Sequence, residues 1–158
     1  KTDFDSEEHR ENMRRCMEVM LSHGVLPVVN ENDTVCITEL MFTDNDELSG
    51  LIAQLMGADT LILLSNVDGL YNGRPGDEGV HLIPYVEAGH DVSEYIQTEK
   101  SGAGRGGMQS KCHTAQTVAA SGIDVYLARG TRENVLVDLL SHPETVPHTH
   151  FMSVKLHN

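Results

Sequence analysis

Ser101-Gly102-Ala103-Gly104-Arg105-Gly106-Gly107-Met108-Gln109-Ser110-Lys111 holds the densest glycine cluster of the chain. Four glycines fall within positions 102–107, and a hydroxyl residue and a lysine follow at 110 and 111. Residues 113–120 continue in a helical pattern that stops at Gly122. A glycine-rich loop that opens a helix lets backbone N–H groups come close to an anion. The positive end of the helix dipole then favours a phosphate at that place. Lys111 is expected in the first helical turn, where its ammonium presents a point charge to a phosphoryl group. Taken alone, the same run reads equally well as a turn or a linker, because glycine clusters mark both. The spacing before the lysine excludes a Walker A loop.

Upstream of the loop, strand-like and helix-like patterns alternate. Ser6 reads as an N-cap with Glu7 and Glu8 in the first turn, followed by Met13, Cys16, Met17, Met20 and Leu21 at helical spacing and a stop at Gly24. Residues 25–29 are almost wholly apolar and are expected to form a buried strand. The polar run Asn30-Glu31-Asn32-Asp33-Thr34 ends that strand, and residues 35–42 suit a short strand or hairpin. Asp44-Asn45-Asp46 precedes a helix with Leu48, Leu51, Ile52, Leu55 and Met56 on one face, closed by Gly57. Residues 60–65 read as a second buried strand, with a turn at Asn66-Val67-Asp68-Gly69. Residues 72–79 read as a surface excursion and residues 91–98 as a short helix. Residues 82–86 suit a short strand, which Pro84 puts at an edge or in an irregular position.

Downstream of the loop, residues 123–128 are expected to form a third strand, and residues 131–140 a last helix. His142, His148, His150 and His157 show no regular ligand spacing, so the tail reads as a solvated terminus rather than a metal site. This alternation predicts an α/β fold, a mostly parallel sheet sandwiched by helices in three layers. Ligands of such sheets sit beyond the carboxyl ends of the strands. That rule singles out the loops at 30–34, 66–69 and 130–132. The expected domain spans residues 1–151, with 152–158 as a tail.

Bulk properties narrow the function classes. The chain has 158 residues, 39% of them hydrophobic, which suffices for one domain with a sizeable core. Its formal charge of −13 argues against nucleic-acid and acidic-membrane partners. No apolar run approaches the roughly 18 residues of a membrane span. The same charge means that a phosphate ligand needs local positive features or a metal counter-ion. Cys16, Cys36 and Cys112 are odd in number and far apart, which fits a reducing, cytoplasmic compartment better than a disulfide framework.

Two acid–amide clusters, Asn30-Glu31-Asn32-Asp33 and Asp44-Asn45-Asp46, lie a dozen residues apart. Such groups can bind an amino group, hydrogen-bond a carboxylate, or orient lysines and Mg²⁺ around phosphates. Each cluster alone reads as readily as turn and cap chemistry, with Asp44 or Asn45 as the N-cap of the following helix. Together with the glycine loop and Lys111 they supply an anion cradle, a cation and a polar pocket, the parts phosphoryl transfer needs. Gly-x-Ser-x-Gly is absent, and no serine has an evident histidine partner for covalent hydrolysis.

Residues 28–33 (Val-Val-Asn-Glu-Asn-Asp), 44–46 (Asp-Asn-Asp), 63–71 (Leu-Leu-Ser-Asn-Val-Asp-Gly-Leu-Tyr) and 106–111 (Gly-Gly-Met-Gln-Ser-Lys) occur in that order. Together they resemble the glutamate 5-kinase branch of the amino acid kinase family. The resemblance implies ATP-dependent phosphorylation of the side-chain carboxylate of L-glutamate, the first step of proline synthesis, with ATP and Mg²⁺ as cofactors. It implies a homo-oligomer acting on small molecules. It places Asn30, Asp33 and Asn45 against glutamate and gives Asp46 the role of orienting catalytic lysines. Ser65 and Asn66 would contact the nucleotide, and Arg105, Gly106, Gly107, Met108, Gln109, Ser110 and Lys111 would face its phosphates. Lys111 would stabilise the transferring phosphoryl group.

The chain departs from that pattern in places. Ser65-Asn66 stands where the family has Thr-Asp, Arg105 replaces a small residue, and Ser110 replaces threonine while keeping the hydroxyl. The family's amino-terminal half, with its own glycine-rich loop and second catalytic lysine, is expected to lie outside this sequence. The 158 residues alone are therefore expected to turn over little. The alternatives are a kinase of the same family acting on acetylglutamate, aspartate or UMP, a nucleotide-binding module without turnover, or the kinase part of a bifunctional pyrroline-5-carboxylate synthase.

Overall fold

Glycine closes three of the helices in the same way. In the computed structural model, which describes residues 2–30, 44–97 and 107–154 (residues 2–6 by backbone alone), helix α1 runs over Thr2–Ser22 and ends at Gly24, whose φ is +71°. The amide of Val25 donates to the carbonyl of Met20, and that of Gly24 to Leu21. This double bond needs a left-handed residue, which glycine adopts without a Cβ penalty. Helix α2, Asn45–Leu55, closes the same way at Gly57, and helix α4, Gly107–Ala120, at Gly122. Helix α3 spans Ser93–Gln97, and helix α5 spans Val135–Ser141. The hairpin or strand expected at 35–42, the acidic residues Glu31 and Asp33, and the loop from Gly102 to Gly106 with Arg105 lie outside the described residues.

Four strands make one sheet among the described residues: β1 (Thr60–Ser65), β2 (Tyr85–Val86), β3 (Asp124–Arg129) and β4 (His148–Phe151), in the spatial order β1-β3-β4-β2. β1 with β3 and β2 with β4 are parallel, while β3 with β4 is antiparallel. Alternate side chains go to opposite faces. Leu63, Val125, Leu127, Phe151 and Val86 meet Cys112, Ala115, Val118 and Ala119 of α4 and Ala53 of α2 in the larger core. On the other face Ala128 packs with Val135 and Leu139 of α5 and with Val146, flanked by Ile62 and Tyr126. Helices thus cover both faces, the expected three-layer α/β/α arrangement.

The fold differs from the sequence-based expectation at five places. Residues 25–29 form no strand: Val28 is 90% exposed and Leu26 79%, and no described strand pairs with them. An apolar run becomes a strand only beside a neighbour that takes its amides, and Pro27 withholds one donor in any case. β1 matches the expected 60–65 but is an edge strand among the described residues, with Leu64 42% exposed, not one buried on both sides.

β4 was not expected. The tail segment read as a solvated terminus lies inside the sheet between β3 and β2, with Thr149 and Phe151 inward and the two histidines on the other face. Helix α1 begins at Thr2, so Ser6 is internal to it and not its N-cap. Helix α4 begins at Gly107, so Lys111 stands at the start of the second turn and not in the first.

Candidate active site

The amino ends of α2 and α4 lie side by side because Gly50 lets the two helices approach closely. A methyl group at that position would come within 2.8 Å of the Thr114 side chain. Asp44 caps α2 through Oδ1, which accepts from the Glu47 amide at 3.0 Å. Its other oxygen accepts from the Ser110 hydroxyl on α4 at 2.5 Å. One carboxylate therefore fixes both helix ends. Partial burial resists its ionisation, but the Ser110 hydroxyl, the Glu47 and Asp46 amides and the Lys111 charge outweigh that and hold its pKa below the usual value.

At the next position of α4, Lys111 Nζ donates to both oxygens of Asp46 at 2.8 Å each. Both side chains are mostly buried, at 18% and 17% exposure. Beside this pair, Asn45 Nδ2 donates to Asn30 Oδ1 at 3.0 Å, so the end of the exposed 25–30 segment reaches the start of α2. A cavity of about 450 Å³ opens next to these helix ends, lined by Asp44, Glu47, Asp91, Gln109, Ser110 and His113 among others. The amino terminus of α4 and a lysine held by a carboxylate form an arrangement suited to an anion. Carboxylates on the opposite wall suit a cation or an amino group.

A second group lies at the carboxyl ends of β1 and β3. Their parallel register sets Ser65 beside Arg129. Arg129 donates to Asp68 through Nε at 2.8 Å and Nη2 at 3.3 Å, and to the Asn66 carbonyl through Nη1 at 2.9 Å. Tyr71 adds its hydroxyl to Asp68 at 3.2 Å, and the Ser65 hydroxyl donates to Asn66 Oδ1 at 3.3 Å. The guanidinium of Arg129 lowers the Asp68 pKa against the opposing effect of burial, with Tyr71 and the charge of Arg132 assisting.

The structure thus joins Lys111 with Asp46, Ser110 with Asp44, and Asn45 with Asn30. It sets Ser65 and Asn66 in a separate group at the strand ends. Gly107 faces open space at the start of α4, Gln109 lines the cavity, and the Met108 side chain packs against the core, leaving its backbone toward the helix terminus. Asp33, Arg105 and Gly106 lie outside the described residues. Reading the sequence missed Arg129 and the role of Asp68. The signal available was position: Arg129 precedes the loop at 130–132 that the strand-end rule singled out. Among the described residues no three of His, Cys, Asp and Glu converge as a ready-made metal site. A hard divalent ion fits this donor set only as a guest of phosphate oxygens, with one or two carboxylates beside it. No described helix is long and apolar enough to cross a membrane.

Comparison with known proteins adds to this geometry. A model described as the amino acid kinase family matches residues 1–129. A protein of Bacteroides thetaiotaomicron named glutamate 5-kinase is 53% identical over 152 residues, covering 96% of this chain and 42% of the relative. One of the same name from Chlorobaculum tepidum is 49% identical over 137 residues, covering 86% of this chain and 37% of its own length. The chain therefore spans less than half the length of these relatives. Among solved structures, carbamate kinase from Giardia lamblia bound to AMP-PNP aligns with a TM-score of 0.49 at 20% identity, over 70% of this chain and 36% of that one.

Proposed function

Because the chain belongs to the amino acid kinase family, we propose that it supplies the ATP-binding and acceptor-loop part of a glutamate 5-kinase, which phosphorylates the side-chain carboxylate of L-glutamate at the entry to proline synthesis. The observation that carries this reading is the Lys111–Asp46 pair beside the amino terminus of α4. Phosphoryl transfer asks for positioning and charge stabilisation and for no covalent residue. The first-turn amides of α4 bind phosphate oxygens, while the Ser110 hydroxyl, donated to Asp44, ties α4 to α2 beside them. Lys111 offsets the charge that gathers on the transferring oxygens as the bond to the leaving group loosens. Asp46 holds the lysine aimed, through both carboxylate oxygens. Gly106, Gly107 and Arg105 extend the cradle, and Ser65 and Asn66 contact the nucleotide. Asn30, Asp33 and Asn45 receive the glutamate. Mg²⁺ bound to the phosphates would further neutralise their charge.

A coupled ATP-consumption assay of the full-length protein with glutamate, acetylglutamate, aspartate and UMP tests the reading. Turnover with glutamate alone is expected. Turnover with another acceptor and none with glutamate would overturn the branch assignment. The 158 residues alone are a different matter. The chain spans less than half the length of the relatives it matches, and a transferring phosphoryl group has charge on several oxygens to offset. This favours nucleotide binding without turnover for the isolated chain.

A further inference from the structure

We propose that Arg129 is a positioning residue for nucleotide binding, acting through the loop at 66–69 that it clamps. The inference rests on the reading of Ser65 and Asn66 as nucleotide contacts. That loop has no ladder of its own, so something else must fix it. Arg129 grips it at two points, the Asp68 carboxylate and the Asn66 carbonyl, from the last position of β3. The next residue continues the grip: the Gly130 amide donates to the Ser65 carbonyl at 2.8 Å. Only glycine suits that neighbour position well, since a Cβ there would stand 3.1 Å from Leu64 Cβ. Tyr71 braces the far oxygen of Asp68. The carbonyl and side chain of Asn66 are thereby held in one orientation before any ligand arrives. A guanidinium can do this because its donors lie in one rigid plane; an ammonium keeps the charge and loses the fork.

The test is calorimetric titration of the full-length protein and its variants with MgATP, beside titration with L-glutamate. Arg129→Ala is expected to weaken MgATP about tenfold while glutamate affinity stays within about twofold, and Arg129→Lys to recover part of the loss. Asp68→Asn is expected to weaken MgATP similarly, and the double variant to be no weaker than the worse single one, because both act through one clamp. Unchanged MgATP affinity in folded Arg129→Ala, equal loss of both ligands, or additive losses in the double variant would each overturn the proposal. Should Arg129→Ala fail to fold, Arg129→Lys and Asp68→Asn carry the same reading. Because MgATP binding is measured without an acceptor, a protein that binds MgATP and ignores glutamate would overturn the acceptor assignment while the clamp is still decided by the variants.

Discussion

Lys111 and Asn45 both stand at the amino ends of helices, yet the residues they hold belong to different kinds of structure. Lys111 holds Asp46, and both sit on helices whose buried faces share one core with β1, β3 and β4. Asn45 holds Asn30, which ends a segment with Val28 90% and Leu26 79% exposed and no described strand beside it. The part of the proposed phosphate side that α4 and Lys111 supply is therefore held by packing. The acceptor side depends on a side-chain bond between two amides. Preorganised charge is worth most when it need not move during the reaction. A substrate pocket can tolerate more adjustment. The comparison teaches where substitutions should change the rate and where they should change the substrate requirement.

The largest effect should come from the packed side. Lys111→Ala in the full-length protein is expected to lower turnover by about 10²–10³, the usual loss for one preorganised donor at a developing charge. Glutamate affinity should change little. Steady-state kinetics with both substrates varied reads this directly. Turnover near the wild-type value would remove Lys111 from the chemistry and leave its bond to Asp46 as a structural tie between α2 and α4.

On the other side, Asn45→Ala is expected to raise the glutamate KM about tenfold, the scale of one lost hydrogen bond to a charged ligand, with turnover much less affected. The contrast with Lys111 is the point of the pair. If both variants lost turnover equally, the two sides would be one unit and the difference in their foundations would have no kinetic meaning.

How much of this was legible in the sequence follows the same divide. The helix stops at Gly24, Gly57 and Gly122, the Asp44 cap and the bounds of β1 were readable because each depends on local chemistry: a left-handed residue, a side-chain acceptor, a run of apolar β-formers. The pairing of Lys111 with Asp46 could not be read from spacing, since 65 residues separate them; the family resemblance alone suggested it. The run at 25–29 was misread because strand identity depends on a neighbour, which a composition window does not contain. β4 was missed for the converse reason. His148 and His150 disguised a strand whose inward residues, Thr149 and Phe151, alternate correctly. The Arg129–Asp68 clamp spans 61 residues, and only the strand-end rule pointed near it.

A smaller effect tests the joint between the two sides. Asp44→Ala removes both the α2 cap and the acceptor for Ser110, and is expected to cost about 1 kcal/mol at neutral pH. The pH dependence has a definite sign. The Asp44 pKa is lowered in the folded chain, so its ionised form contributes stability that is fully present above the ordinary value of 3.8 and is lost as pH falls through the lowered one. Thermal melts of wild type and variant should therefore converge as the pH is taken below 3.8. A gap that stayed constant into that range would mean that the charge of Asp44 contributes nothing and only its volume counts.

The smallest effect is expected where the sequence looked most strand-like. Val28→Ser removes an apolar side chain from a five-residue run that composition alone would place in a core. Because Val28 is 90% exposed, denaturant unfolding of this chain should shift by less than about 0.5 kcal/mol. A buried valine would instead bring a loss of roughly 1.5–3 kcal/mol of burial. The two outcomes are well separated, and the second would show that residues 25–29 are covered after all. The acceptor side, with Asn30 at its end, would then rest on packing as the phosphate side does, and the contrast between Lys111 and Asn45 would have to come from their chemistry alone.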